Sequence, residues 1–418
     1  MRISVFEDNS FKNLYPLCLL RGVFDIKIGP YSLIDRIKTF TNKKFELSLI
    51  CRNYISDYLS EFHKLPANKF SNDDYILLNG KVVFSEKLFD TVISNKGKDI
   101  IFYFKDEVIA VCITKKNAAN LFSLLNNSEF MVFNSEFLSG FNFKKIYLTD
   151  KDDLRIINFP WNVIEFILEG RLNEELNLYL KSVKKFPSVK KSRNFINSKF
   201  IFSKTKLDLL QNIVLDASSG SIVISENVEI EPFTFLKGPV FIGKNVKIKS
   251  GTKIYGPCVI GESSRVAGEI AESVFHSFVN KQHDGFTGHS YLCPFVNLGA
   301  DTVTSDLKNN YSEISVTPNS VKINSGMMFL GSIIGDHSKT SINTMLNTGS
   351  IIGIFSNLFG SGFHEKSISS FSWNEAGKPF AKYDLSKAIH TAEIVMKRRG
   401  VELSKSYEKL ISYYFKEL

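Results

Sequence analysis

The sequence has few cysteines, and no two of them form a close pair. Its five cysteines in 418 residues are odd in number, and none belongs to a Cys-x-x-Cys motif. A disulfide framework is therefore not expected, and this cysteine usage is typical of a reduced, cytoplasmic protein.

Long apolar runs are also missing. No run approaches the roughly 18 apolar residues that a membrane-spanning helix needs. The first residues, Arg2 to Phe6, resemble a strand and are followed by acidic residues, whereas a signal peptide has a basic segment and then an apolar one. We therefore expect neither a membrane partner nor a secretory signal.

Positive charge is present but is not concentrated. The formal net charge is +9, and the lysines are scattered among acidic residues without a basic run or an aromatic-studded basic stripe. This pattern does not predict nucleic-acid binding. It suits an anionic substrate, such as a sugar phosphate or coenzyme A.

A strict six-residue period dominates the second half of the chain. Every sixth residue from Ile224 to Val266 is aliphatic, and small or β-branched residues follow four positions later. The aliphatic series is Ile224, Ile230, Leu236, Ile242, Ile248, Ile254, Ile260 and Val266. A helix repeats near 3.6 residues and a strand every second residue, whereas a triangular coil of three hexapeptide rungs gives this period. The sequence therefore predicts a parallel β-helix.

Four segments are predicted along the chain. Residues 1–185 have the short apolar runs and helical spacing of a mixed α/β domain. Residues 186–212 are predicted to be a linker, because this part of the chain is charged, lacks periodicity and contains proline. The β-helix is expected over residues 213–370. Residues 371–418 are predicted to be a helical segment that caps the open end of the coil.

The candidate chemistry lies where the β-helix pattern is interrupted. Residues 280–290 are rich in polar residues and include His283 and His289. Acyl transfer from a thioester needs a base for the proton of the nucleophile and hydrogen-bond donors for the developing oxyanion. A histidine near neutral pH and backbone N–H groups at glycine-rich corners can fill these roles.

The segment from Lys281 to Thr302 resembles the acetyltransferase domain of the bifunctional N-acetylglucosamine-1-phosphate uridyltransferase/glucosamine-1-phosphate acetyltransferases. The resemblance rests on the lysine and histidine of this segment and on Asn-Leu-Gly-Ala at 297–300. It implies a left-handed β-helix, a homotrimer and acetyl-CoA bound between neighbouring coils. It also implies roles for five residues. These are His283 as catalytic base, Arg265, Phe286 and Asn297 as substrate contacts, and Ala300 as a backbone contact near the acetyl group.

Most of the chain resembles a divergent bacterial branch, the GlmU-like sugar nucleotidyltransferases. The matching strings are Phe6-Glu7-Asp8, the run from Arg21 to Gly29, Phe159-Pro160-Trp161-Asn162 and Gly335-Asp336-His337-Ser338. This resemblance implies an N-terminal Rossmann-like nucleotidyltransferase domain that joins a nucleoside triphosphate, with Mg²⁺, to a sugar 1-phosphate. Arg21, Lys27 and Arg52 are the candidates for its nucleotide site.

The N-terminal half departs from the classical members of that family. Residues 1–30 lack the glycine-rich loop that cradles nucleotide phosphates, and Lys81 stands where the family has a magnesium-binding acid. On the β-helix, Phe286 lacks the hydroxyl of the usual tyrosine, and Asp306 stands where an asparagine is common. The sugar contacts are therefore expected to differ.

Other interpretations stay open. In one, the N-terminal domain only senses a nucleotide-sugar, and the protein is a single-activity acyltransferase. In another, it is a trimeric scaffold or a zinc hydratase of the carbonic-anhydrase-like β-helix type, with His276, His283 and His289 as ligands. The steps of seven and six residues place these histidines on different faces, so no metal ligand is assigned. His337 either contacts coenzyme A or a neighbouring subunit, or lies at a polar corner.

Overall fold

The protein is described from a computed structural model. It describes residues 1–41, 45–128, 130–183, 186–207, 212–318 and 321–418. Within these ranges no helix is both long and apolar enough to cross a membrane.

The N-terminal domain is built on a six-stranded mixed sheet. The strands of the domain are β1 (Arg2–Phe6), β2 (Glu46–Ile50), β3 (Tyr75–Asn79), β4 (Val82–Val83), β5 (Ile100–Phe104), β6 (Glu107–Ile113), β7 (Lys144–Leu148) and β8 (Arg155–Ile156). The main sheet has the order β2-β1-β3-β6-β5-β7, while β4 pairs with β8 separately. β1 lies between β2 and β3 and is parallel to both, whereas β6 runs antiparallel to β3 and β5. The strands predicted from the apolar runs are all present.

In the described part of this domain, six α-helices pack around the sheet. They are α1 (Leu33–Thr41), α2 (Ser56–His63), α3 (Glu86–Ile93), α4 (Lys115–Asn126), α5 (Asn162–Phe166) and α6 (Leu172–Ser182). A π-helical turn at Ile167–Arg171 joins α5 to α6, and the helical conformation is interrupted at Gly170, whose φ is +83°. Buried apolar residues on α1 and α3, such as Ile37 and Phe89, pack on the sheet, which buries β1 and β3 on both sides.

The rest of the chain coils into a left-handed parallel β-helix with three faces. Face 1 contains Ile201–Ser203, Ile222–Ile224, Val240–Ile242, Cys258–Ile260, Val274–Phe275, Tyr291–Leu292, Ser332–Ile334, Ser350–Ile352 and Ser367–Ile368. Face 2 contains Glu229–Ile230, Lys247–Ile248, Arg265–Val266, Asn280–Lys281, Lys339–Thr340, Asn357–Phe359, Ser372–Glu375 and Ala381–Lys382. Face 3 contains Phe195–Ile196, Val214–Asp216, Phe235–Lys237, Lys253–Tyr255, Glu269–Ala271 and Phe286–Gly288, followed by Val303–Thr304 and Met345–Leu346. The predicted fold class is confirmed.

The period of six produces the core of the β-helix directly. Ile224, Ile242 and Ile260 are register partners on face 1, and all three are fully buried. The stack therefore repeats every 18 positions, three rungs to a coil. The coil after residue 260 is shorter, because Val259 pairs with Val274 and not with a residue 18 positions later. This shortening explains why the six-residue period is disturbed there. A hairpin of Ser315–Val316 and Ile323–Asn324 projects from the coil between faces 3 and 1.

The coil begins earlier than predicted. Phe195–Ile196 and Ile201–Ser203 lie within the predicted linker, residues 186–212, yet they pair in parallel with the next coil of faces 3 and 1. This first turn was missed because it has only one neighbouring coil, so fewer of its side chains follow the inward pattern. Part of the predicted linker, residues 208–211, lies outside the described residues.

The helical tail connects the domains instead of only capping the coil. Its helices are α7 (Leu385–Lys397) and α8 (Lys405–Glu417). Tyr414 and Tyr413 on α8 contact Arg52 and Tyr54 of the N-terminal domain. Tyr407, on the same helix, reaches the β-helix at His337. The tail therefore fills the angle between the two domains.

Candidate functional sites

A polar column runs along the outside of face 2. Arg265, Asn280, Asn297 and Lys339 are successive register partners, and each is followed by a buried residue that points into the coil. Because side chains alternate along a strand, these four side chains all lie on the outer surface of the same face. The structure therefore brings together the predicted substrate contacts Arg265 and Asn297.

A residue of the tail completes this column. The guanidinium of Arg399, just after α7, donates to the side-chain oxygen of Asn280 at 3.2 Å and lies 3.4 Å from the backbone oxygen of Ser263. The Asn280 amide donates in turn to the Asn297 side-chain oxygen at 2.6 Å. Arg399 was not predicted from the sequence, because only the folded tail brings it to this face.

The column is cationic, and the described residues supply no carboxylate partner to its arginines. Among the described residues, neither Arg265 nor Arg399 has an ion-pair partner, and the buried Nε atom of Arg265 has no hydrogen-bond partner. Burial, together with the charges of Arg265 and Arg398, lowers the pKa of Arg399 to about 10. Burial also lowers the pKa of Lys339, higher in the column, to about 8. An oxyanion such as a phosphate would relieve this repulsion and satisfy the free donor.

His283 lies at the corner between face 2 and face 3, and its side chain is exposed. The ammonium of the neighbouring Lys281 is buried and donates to the backbone oxygens of Ala267 at 2.9 Å and His283 at 3.0 Å. Gly285 has φ +118°, and a Cβ there would lie 2.2 Å from the backbone oxygen of Thr302. The corner therefore has a fixed shape that only glycine allows, and it presents His283 to solvent.

Ala300 lies in the next corner along the helix axis. The N–H of its neighbour Asp301 donates to the backbone oxygen of Asp284 at 3.0 Å, which joins this corner to that of His283. Phe286 lies on the other side of the corner, on face 3, where it pairs with Glu269. His283 and Ala300 are thus adjacent, whereas Phe286 faces away from the polar column.

The other histidines occupy different positions. His276 lies at the corner between faces 1 and 2, with Nε2 at 3.2 Å from the backbone oxygen of Asp25, and burial lowers its pKa well below the usual value. His289 lies at the corner between faces 3 and 1, with Nδ1 at 2.8 Å from a carboxylate oxygen of Asp306. The three histidines of the zinc interpretation therefore lie on three different corners. In the described part of the chain no group of three or more metal-ligating side chains is found.

His337 belongs to an aromatic ladder at the corner between faces 1 and 2. The ladder consists of Phe278, Phe295, His337, Phe355 and Phe371, each stacked on the next with ring centroids 4.6 to 5.3 Å apart. The imidazole is fully buried, and its Nε2 lies 3.2 Å from the Tyr407 hydroxyl. In this chain its contacts are therefore with the ladder and the tail.

The three basic residues predicted for the nucleotide site have partners within the protein. Arg52 is fully buried, with hydrogen bonds of 2.9 and 3.0 Å to the Glu7 carboxylate and of 2.8 Å to the Tyr414 hydroxyl. Arg21 forms an ion pair with Asp336 on the β-helix, and the Lys27 ammonium donates to the backbone oxygen of Pro30 at 3.0 Å. The Arg21–Asp336 pair joins the two domains, and the Arg52–Tyr414 hydrogen bond joins the N-terminal domain to the tail. These two contacts were hidden from sequence interpretation because the partners are distant along the chain.

A separate crevice, here called the strand-end crevice, opens beyond the carboxyl ends of β1 and β3. This is the edge where ligands bind in parallel α/β sheets. The volume of the crevice is about 360 Å³. The lining consists of Phe6, Asp8, Asn9, Ser10, Asn13, Asn79, Lys81, Asp106, Glu107, Val108, Phe133, Asn134, Ser135, Asn158 and Phe159. Arg21, Lys27 and Arg52 are absent from this lining. The lining contains three acidic side chains and one lysine, so it carries a net negative charge.

The fold defines a two-domain protein in which an α/β domain precedes a hexapeptide β-helix. Residues 3–178 match the family model described as sugar nucleotidyl transferase. The N-terminal domain is similar to that family, and the resemblance to the GlmU-like proteins is confirmed.

One curated relative and one solved structure extend the comparison. Over 161 residues the chain is 29% identical to a bifunctional sugar-1-phosphate nucleotidylyltransferase/acetyltransferase of Sulfurisphaera tokodaii. The alignment covers 38% of this chain and 39% of the relative, so the chain matches less than half of that protein. A crystal structure from Bacillus cereus, described as a candidate acetyltransferase, has 13% identity and a TM-score of 0.27, covering 50% of this chain and 99% of the other.

Proposed function

We propose that the protein is a transferase that moves an acetyl group from acetyl-CoA to an amino-sugar 1-phosphate on its β-helix. The observation that carries this proposal is the cationic column of face 2, which lacks carboxylate partners and lies beside an exposed histidine. Such a column binds a phosphate, and the histidine can accept a proton from an amine held nearby.

Each candidate residue then has one role. Arg265 and Asn297 bind the sugar phosphate and fix the orientation of the acceptor amine. His283 removes the proton of the attacking amine, while the backbone at Ala300 receives the oxyanion of the tetrahedral intermediate. The exposed position of His283 gives the amine access, and the stiff corner limits the conformations of the base.

The β-helix of a second subunit would complete the site. His283 and the face 2 column lie on the outer surface of one β-helix, and a thioester bound there would remain exposed to water on the side away from that β-helix. We therefore propose a homotrimer in which acetyl-CoA binds between adjacent β-helices. Light scattering of the purified protein tests this assembly.

The proposal extends to the N-terminal domain, where a nucleoside triphosphate and the acetylated sugar 1-phosphate would yield a nucleotide-sugar in the cytoplasm. The family match over residues 3–178 supports this second step. In a second candidate, the domain binds a nucleotide-sugar without catalysis, because Lys81 lies in the strand-end crevice where the resembling family has a magnesium-binding acid. Pyrophosphate release with the four common nucleoside triphosphates separates the two: release supports catalysis, and its absence supports binding alone.

The acetyl transfer is tested by thiol release from acetyl-CoA with a panel of amino-sugar phosphates. We expect His283→Ala to lower turnover by roughly two to four orders of magnitude with no change in melting temperature. His390, an exposed histidine on α7, provides the matched control, because His390→Ala should retain full activity. Unchanged turnover in His283→Ala would remove this residue from the mechanism, and no thiol release with any acceptor would reject the activity.

A further inference from the structure

Lys81 lies in the strand-end crevice with the surroundings of a metal ion. Its Nζ atom lies 2.7 Å from the Ser10 hydroxyl and 3.0 Å from oxygens of Asp8, Glu107 and Asn158. Two carboxylates, an amide oxygen and a hydroxyl are the ligands that hard divalent cations prefer. The ammonium therefore occupies the centre of a donor set suited to Mg²⁺ or Mn²⁺.

The position of the ammonium is fixed from several sides. The Lys81 side chain is 2% exposed, and the residue lies two positions after the end of β3, where its N–H donates to the Asn79 side-chain oxygen at 3.1 Å. The Asn79 amide also donates to Asp8 at 3.1 Å and to the backbone oxygen of Val108 at 2.9 Å. If Lys81 moved away, Asp8 and Glu107 would repel each other without a cation between them.

A magnesium ion, which nucleotidyl transfer would employ, does not fit this arrangement. An ion bound to Asp8 and Glu107 would have to occupy the space of the Lys81 ammonium, or lie against it and be repelled by it. A lysine has three donors and no acceptor, so it cannot itself bind a cation.

We propose that Lys81 is a permanent internal cation of the crevice and that this domain binds its ligand without a divalent metal ion. The lysine neutralises the carboxylate pair as a metal would, but it leaves no open coordination position for a phosphate oxygen. The neighbouring amide of Asn9 and the ring of Phe159 are then available to the uncharged, hydroxyl-bearing part of a ligand.

The test is Mn²⁺ binding to the full-length protein, measured from the signal of free Mn²⁺ in electron paramagnetic resonance. We expect wild type to show no site with a Kd below about 1 mM in this crevice. Lys81→Ala should gain one site at least tenfold tighter, since two carboxylates, an amide and a hydroxyl then become free. Lys81→Ala combined with Glu107→Gln is the matched control, and it should lose the gained site.

Thermal unfolding gives an independent readout. Lys81→Ala should melt at a lower temperature than wild type, because two carboxylates lose their cation, and Mn²⁺ should raise its melting temperature but not that of wild type. Lys81→Gln, which keeps a polar side chain, serves in the same measurements if the alanine variant does not fold. Submillimolar Mn²⁺ binding to wild type that disappears in Asp8→Asn would overturn the proposal, as would a folded Lys81 variant that gains no Mn²⁺ site. Both readouts are independent of acetyl transfer.

Discussion

Arg21 of the N-terminal domain forms an ion pair with Asp336 of the β-helix, although 315 positions separate them in the sequence. Both side chains are buried, and the guanidinium also donates to the backbone oxygen of Leu17 at 2.6 Å. Removing each charge from water costs free energy, so neither charge is tolerated in the interior without the opposite charge beside it. The pair therefore fixes the domain junction more by specifying its geometry than by adding net stability.

Removal of one partner should destabilise the protein strongly. In Asp336→Leu the Arg21 charge stays buried without its carboxylate, and we expect a loss of about 3–5 kcal/mol in unfolding free energy. Arg21→Met combined with Asp336→Leu should lose clearly less, because no unpaired charge remains. Urea denaturation measures both variants, with Glu229→Gln in the exposed pair with Lys247 as a control expected to change by less than about 1 kcal/mol. Equal losses in the single and double variants would show that the charge pairing is unimportant.

The β-helix could be predicted because each inward residue meets the same environment one coil away. Ile242 lies between Ile224 and Ile260 in the stack, and the same aliphatic residue type recurs at a fixed spacing in the sequence. The shortened coil after residue 260 and the first turn at Phe195 could not be predicted, because they depend on how one coil rests on the next.

The candidate sites were only partly accessible from the sequence. The resemblance placed Arg265 and Asn297 together, and the structure adds Arg399 from the tail. Arg52 looked like a free cation because nothing near it in the sequence indicates that Glu7 and Tyr414 surround it. Pairing between distant residues is decided by tertiary structure, so charge alone did not distinguish a binding residue from a buried one.

Lys281 should make the stability of the protein rise in mildly alkaline solution. Burial lowers its pKa from 10.5 to about 8. Below pH 8 both folded and unfolded states carry the proton, whereas between pH 8 and 10.5 only the unfolded state still binds it. The unfolding free energy should therefore increase with pH over this window, by about 1–3 kcal/mol. Lys281→Met should lack this increase in urea titrations at pH 7.5, 8.5 and 9.5, and parallel curves for the two proteins would contradict the assignment.

His337 should make the protein sensitive to acid. Burial within the aromatic ladder lowers its pKa well below the usual 6.5. Below pH 6.5 the unfolded state therefore binds a proton that the folded state does not, and the unfolding free energy falls as the pH falls.

His337→Phe should remove that acid sensitivity, because it continues the stack of phenylalanine rings without a titrating group. Its denaturation midpoint relative to wild type should rise on going from pH 7.5 to pH 5.0. His390→Phe, at an exposed position, should show no such relative change. A constant difference between His337→Phe and wild type at the two pH values would argue against a neutral, buried imidazole.

Arg399 should contribute to acceptor binding in the proposed acetyl transfer. Its guanidinium lies beside Arg265 on the polar column without a carboxylate partner, so a substrate phosphate would receive charge-assisted hydrogen bonds from both. Arg399→Gln should raise the KM for the amino-sugar phosphate by roughly 10- to 100-fold while leaving the KM for acetyl-CoA nearly unchanged. Arg398→Gln, which removes an exposed charge from the next position, should change the acceptor KM only slightly. Equal effects of the two variants would mean that only general positive charge matters, whereas an effect confined to Arg399 would show that the tail helix supplies part of the phosphate site.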